Sequence, residues 1–124
     1  MKKISVIVPC YNEEQAIHYF YEEMERVAAQ MPENTFEYVF VDDGSRDGTL
    51  GVMRELRAKD ARVRYVSFSR NFGKEAAIYA GLTHATGDYV AIMDADLQDP
   101  PSLLPEMYRA VTEEGYDSAA TRRV

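Results

Sequence analysis

The sequence predicts an α/β fold: a mostly parallel sheet with helices on both faces. Three observations carry the prediction. Short runs rich in Val, Ile, Phe and Tyr alternate along the chain with segments of helical periodicity. That order yields parallel strands joined by right-handed crossovers. The runs are apolar throughout rather than at every second residue, as in strands buried on both faces. Polar and charged clusters follow the runs directly, so parallel pairing would gather them on one rim of the sheet.

Ile4 to Val8 is the first run, broken only by Ser5. Asn12 follows as a candidate helix N-cap, with Glu13 and Glu14 suited to the first turn. Ile17, Phe20, Met24, Val27 and Met31 recur at spacings of three and four, one face of a helix that Pro32 ends. Phe36 to Val41 is the second strand and runs into the turn Asp42-Asp43-Gly44-Ser45. Val52, Met53 and Leu56 mark the next helix, with Thr49 or Asp47 near its start. Val63 to Phe68 is the third strand, and Ser69 to Lys74 is a polar loop. Glu75 to Ala85 is an Ala-rich helix with Gly87 as its C-terminal stop. Tyr89 to Met93 is the fourth strand. Ser102 is expected to cap a helix carrying Leu103, Leu104, Met107 and Val111, stopped by Gly115. Tyr116 to Thr121 reads as a fifth strand.

Composition narrows the function classes. The 124 residues suffice for one domain with a real core. A net charge of −7 argues against a nucleic-acid partner, which requires a basic face. Cys10 is the single cysteine, so neither a disulfide framework nor a cysteine-rich metal site is expected. The first strand follows the start directly, so no signal peptide is expected. No apolar run approaches the ~20 residues of a membrane helix. We expect a cytoplasmic chain, or the cytoplasmic face of a membrane for a longer parent. Gly-x-Gly-x-x-Gly does not follow the first strand, and no Gly-x-x-x-x-Gly-Lys-Ser/Thr occurs.

The most informative stretch is Gly87 to Pro101. Its strand stops at Asp94-Ala95-Asp96. Side chains alternate along a strand, so residues i and i+2 leave on one face. Two close carboxylates repel unless a cation sits between them. A divalent metal that carries a phosphate would meet that need, since magnesium takes one or two carboxylates and fills its other positions with water and phosphate. Ordinary turn chemistry is the plainer reading of Asp-x-Asp. The other clusters are read in the same double way. Tyr11 offers a face on which a base could stack, or is a buried tyrosine beside a helix cap. Asp43 can accept from a base N–H or a ribose hydroxyl, or serves only its turn. Arg70 and Lys74 could bind phosphates, although a solvated loop is the preferred reading of Lys74. Cys10 lies at the rim with no His placed to activate it.

Three segments resemble a known family. They are Val6-Ile7-Val8-Pro9-Cys10-Tyr11-Asn12-Glu13-Glu14, then Val41-Asp42-Asp43-Gly44-Ser45-x-Asp47-Gly48-Thr49, then Gly87-Asp88-x-x-x-x-Met93-Asp94-Ala95-Asp96-Leu97-Gln98-Asp99-Pro100-Pro101. They resemble the family 2 glycosyltransferases. With Ser69-Arg70-Asn71-Phe72-Gly73-Lys74-Glu75-Ala76-Ala77, they are similar to the bacterial branch that glycosylates undecaprenyl phosphate and to dolichol-phosphate mannose synthases. The resemblance implies a Rossmann-like GT-A domain and a UDP-linked nucleotide-diphosphate sugar donor. It implies an inverting transfer to a polyprenyl-phosphate acceptor. Carried over, Pro9, Tyr11, Glu13 and Asp43 hold the base and ribose. Asp94 lies at the ribose and metal, and Asp96 with Gln98 coordinates Mg²⁺ or Mn²⁺. Arg122 approaches the diphosphate, and Asp94 and Asp96 are the catalytic pair. The family continues past Val124, so residues 1–124 are expected to be the donor-binding part, without the acceptor part. Two other readings stand beside this one. One is a fragment that binds a nucleotide sugar without turnover. The other is a receiver domain of a signalling system, which the acid pair after the second strand and the lack of a Lys near Thr121 disfavour.

Overall fold

The computed structural model of the chain describes residues 2–96 and 101–113. Strands β1 (Lys2–Cys10), β2 (Asn34–Asp42), β3 (Val63–Ser67) and β4 (Tyr89–Ile92) form one sheet in the order β3-β2-β1-β4. Every pairing is parallel. Helices α1 (Ile17–Ala29), α2 (Thr49–Lys59), α3 (Lys74–His84) and α4 (Leu104–Thr112) connect or follow the strands. A 3₁₀ turn, Pro101–Leu103, precedes α4.

The core has two layers, set by the alternation of β1. Ile4, Val6 and Val8 face one side, where they join Phe20 and Met24 of α1, Met53 and Leu56 of α2, and Leu104 of α4. Ile7 faces the other side with Val39, Val41 and Ala77 of α3. The close approach of α3 depends on small residues. A Cβ on Gly81 would lie 2.3 Å from Ile7 Cγ2, so only glycine lets the helix sit so near β1. The predicted α/β order and helices on both faces are therefore observed.

Several local readings need correction. Asn12 is not the N-cap of α1. The helix begins at Ile17 with Ala16 in the cap position and no acid in its first turn. Asn12 instead adopts a left-handed backbone, φ 52°, which Asn tolerates better than most residues. Gly87 is not a helix stop, because α3 has already given way to extended backbone at Ala85. Gly87 allows β4 to enter beside β1: a Cβ there would lie 2.6 Å from Ser5 Oγ. Ser102 lies inside the 3₁₀ turn, and α4 begins after Leu103 with no side-chain cap. Met31 lies beyond the end of α1 yet remains buried. The expected fifth strand, Tyr116 to Thr121, falls outside the described residues, as do Gly115, Gln98 and Arg122. No helix among the described residues is long and apolar enough to cross a membrane.

Candidate functional site

The strand order places a topological switch at β1. The chain passes from β1 to β2 to β3 in one direction, and β4 joins on the opposite side. The strand order thus reverses beside the carboxyl ends of β1 and β4, and open α/β sheets bind ligands at such a point. A cleft of about 260 Å³ lies there, lined by Pro9, Cys10, Tyr11, Glu13, Asp43, Lys74, Asp94 and Asp96. All four rim clusters contribute to it.

Hydrogen bonds tie the rim loops to one another. The Asn12 N–H donates to Ser45 Oγ, and Asn12 Oδ1 accepts from the Arg46 N–H, each at 2.9 Å. The Glu13 N–H donates to Thr49 Oγ1 at 2.9 Å, and the Gly48 N–H donates to Glu14 Oε1 at 3.0 Å. The second loop is fastened to the third through Asp43. Its carboxylate accepts from the Phe72 N–H at 2.7 Å, and from Asn71 Nδ2 and the Gly73 N–H at 3.1 Å. Gly44 completes this junction with φ 72°; a Cβ there would lie 2.2 Å from the Arg70 carbonyl carbon.

The cleft is electrostatically unbalanced. Burial pushes the Glu13 carboxyl above its ordinary range, and the negative charges of Asp96, Asp94 and Asp47 push the same way. Burial, reinforced by Glu13, Asp42 and Asp94, raises the Cys10 thiol well above its usual value. Cys10 therefore stays protonated, with its Sγ donating to the Val8 carbonyl at 3.4 Å, and it is no nucleophile. Lys74 Nζ lies 2.8 Å from Asp94 Oδ1.

Pro9, Tyr11, Glu13, Asp43, Asp94 and Asp96 thus share one cleft, as the sequence suggested. Gln98 and Arg122 lie outside the described residues. Tyr11 is 44% exposed, so it is not a core tyrosine and its ring is open to a ligand. Lys74 is not part of a loop without a partner, as the preferred sequence reading expects: it opens α3, lines the cleft and pairs with Asp94 while its side chain stays largely exposed. The available signal was its place directly after a rim loop.

Among the described residues no group of three His, Cys, Asp or Glu side chains is arranged to hold a metal. The donor set still fits a hard divalent ion. Its acids are all oxygen donors, and magnesium needs only one or two of them when water and phosphate supply the rest.

Residues 5–124 match the family model described as Glycosyl transferase family 2. The chain belongs to this family. The receiver-domain reading falls with that match. The family 2 chain is 46% identical over 105 residues to a prophage bactoprenol glucosyl transferase homolog of Escherichia coli, covering 85% of this chain and 34% of the relative. Two solved structures share its fold. One is the mannosyltransferase PcManGT from Pyrobaculum calidifontis in complex with GDP-Man and Mn²⁺, at TM-score 0.75 and 29% identity, over 90% of this chain and 33% of that one. The other is glucosyl-3-phosphoglycerate synthase from Mycobacterium tuberculosis with Mn²⁺, UDP and glucosyl-3-phosphoglycerate. It has TM-score 0.61 and 28% identity, over 90% of this chain and 40% of that one. The GT-A expectation is borne out at the level of fold. The chain spans about a third of the length of the curated relatives it matches.

Proposed function

We propose that this chain is the donor-binding part of a metal-dependent, inverting glycosyltransferase. The donor is a nucleotide-diphosphate sugar, UDP-linked by preference, and the acceptor of the whole protein is a polyprenyl phosphate. One observation carries the reading: Tyr11 and Glu13 beyond β1, and Asp94 and Asp96 beyond β4, meet in a single cleft at the switch point. The solved neighbours with GDP-Man or UDP and Mn²⁺ support the donor class, and the bactoprenol relative supports the acceptor class.

In this reading Tyr11 stacks on the base, and Pro9, Glu13 and Asp43 shape the base and ribose pocket. The carboxylate of Asp43 already accepts three N–H groups of the loop 71–73. Its contribution is therefore as much to place that loop as to touch the nucleoside. Asp96, with Asp94 and Gln98, would hold Mg²⁺ or Mn²⁺, and Arg122 would approach the diphosphate. The ion would supply Lewis-acid stabilisation of the departing diphosphate. Attack from the side opposite the leaving group inverts the anomeric centre. A phosphate monoester has a second pKa of about 6, so a lipid-phosphate nucleophile is already largely ionised at neutral pH.

The test is calorimetry with UDP-glucose, GDP-mannose and UDP-GlcNAc, each with and without Mn²⁺. At least one donor should bind, and only with the metal. Failure of all three, or binding indifferent to Mn²⁺, overturns the reading. A second arm mixes the chain with labelled UDP-glucose, Mn²⁺ and undecaprenyl phosphate in detergent. Effective transfer needs both substrates in near-attack geometry, and the cleft provides for the donor, so no steady glucolipid formation is expected. Steady formation would place the acceptor site within residues 1–124.

A further inference from the structure

We propose that Lys74 is a resident counter-cation that makes metal binding in the cleft depend on nucleotide binding, an inference that rests on the donor-binding reading above. Lys74 is the first residue of α3, and its ammonium sits 2.8 Å from Asp94 Oδ1. The Lys74 side chain is 60% exposed and that of Asp94 22%, so the ammonium reaches inward from the mouth of the cleft. Among the described residues that line the cleft, Lys74 is the one cation, against Glu13, Asp43, Asp94 and Asp96.

A divalent ion that arrives alone meets this ammonium. It must either share the space with a like charge or displace Lys74 from Asp94, and both weaken its binding. A nucleotide diphosphate alters the balance. Its phosphates offer Lys74 a new anionic partner, and the ammonium no longer competes with the metal at Asp94. The movement required is small, because lysine carries a point charge on a flexible four-carbon stem. Coupling between two ligands is reciprocal, so the nucleotide and the metal should tighten each other by the same factor. The structure assigns that coupling to one exposed side chain.

The test measures Mn²⁺ binding by the EPR signal of free Mn²⁺, first alone and then with saturating UDP. It compares the wild type, Lys74→Gln, Lys74→Arg and Lys59→Gln. The last variant loses the same charge from the exposed end of α2, away from the cleft. Lys74→Gln should bind Mn²⁺ alone about fivefold more tightly than the wild type. The factor by which UDP tightens Mn²⁺ binding should fall at least about fivefold. Lys74→Arg and Lys59→Gln should behave as the wild type. A residue that merely supported the fold would weaken Mn²⁺ binding when replaced, the opposite sign. Lys74→Gln that binds Mn²⁺ alone no more tightly than the wild type overturns the proposal. So does unchanged coupling in a variant that still binds UDP. Absence of UDP and GDP binding by the wild type with Mn²⁺ overturns the donor-binding reading, and the coupling with it.

Discussion

Glu37, near the amino end of β2, and Glu13, beyond the carboxyl end of β1, are both acids drawn away from water, yet their surroundings differ in kind. Glu37 is 4% exposed and fully provided for. Ser5 Oγ donates to it at 2.6 Å, the Thr86 N–H at 2.8 Å and Arg64 Nη1 at 2.9 Å, with Lys3 Nζ at 3.7 Å. Burial alone would push its carboxyl up, but the hydrogen bonds from Ser5, Thr86 and Arg64 hold it down to about 2. At Glu13 burial and the neighbouring acids Asp96 and Asp94 all act upward. One end of the sheet satisfies its charge from within, and the other gathers four acids around one lining cation, Lys74, among the described residues. A carboxylate with matched donors contributes to folding, whereas a cluster of like charges costs stability and marks a place where a ligand completes the balance.

The contrast can be broken at either end. The largest effect should come from Asp96→Asn. Metal-dependent UDP binding should weaken by about a hundredfold or more, beyond what loss of a metal's outer-shell partner typically costs. The melting temperature should barely change. Unaltered Mn²⁺ dependence in this variant would remove Asp96 from the site.

Glu37→Gln should do the reverse: lower unfolding free energy by about 1–3 kcal/mol, as for a lost hydrogen bond to a charged buried group, and leave nucleotide affinity alone. Its pH signature has a definite sign. The folded carboxyl titrates near 2 and the ordinary glutamate near 4.5. Its stabilisation is therefore complete above about pH 4.5 and is lost as the pH falls towards 2. Urea midpoints measured across that window should fall more steeply for the wild type than for Glu37→Gln, and parallel curves would contradict the assignment.

Tyr11→Ala sharpens the division within the cleft itself. Loss of an aromatic base-stacking partner costs about 1–3 kcal/mol, so UDP affinity should drop about tenfold while pyrophosphate binds as before. Equal losses for both ligands would put Tyr11 at the phosphates.

The smallest effect is expected at Glu13. Because its carboxyl is raised, its ionised form opposes folding at neutral pH, and the penalty disappears as the pH falls below its folded pKa. Glu13→Gln should raise the urea midpoint by less than Glu37→Gln lowers it. A destabilised variant would mean that the ionised carboxylate has a favourable partner in the folded chain.

What could be read from the sequence was what neighbours in the chain decide. The apolar run around Val6 and the stripe Ile17, Phe20, Met24 and Val27 carry their burial in their own spacing. Asp94 and Asp96 announce themselves as a pair. The readings that failed depend on partners far along the chain. Asn12 departs from helix capping because Ser45 and Arg46, 33 and 34 residues away, receive and supply its hydrogen bonds. Gly87 is required by Ser5, 82 residues distant. Lys74 gains its meaning only when β4 brings Asp94 beside it. Charge and composition could not encode these pairings, which the strand order alone creates.

The seam at Gly44 bears on how the rim loops can be altered. Backbone touches backbone there, since any side chain would press into Arg70 and Asn71, and Asp43 grips the same loop. The first loop is fastened to the second in turn through Asn12, Glu13 and Glu14. A loop transplanted singly from a relative would arrive without its matching half. The three rim loops thus form one interlocked set, to be exchanged together or left in place.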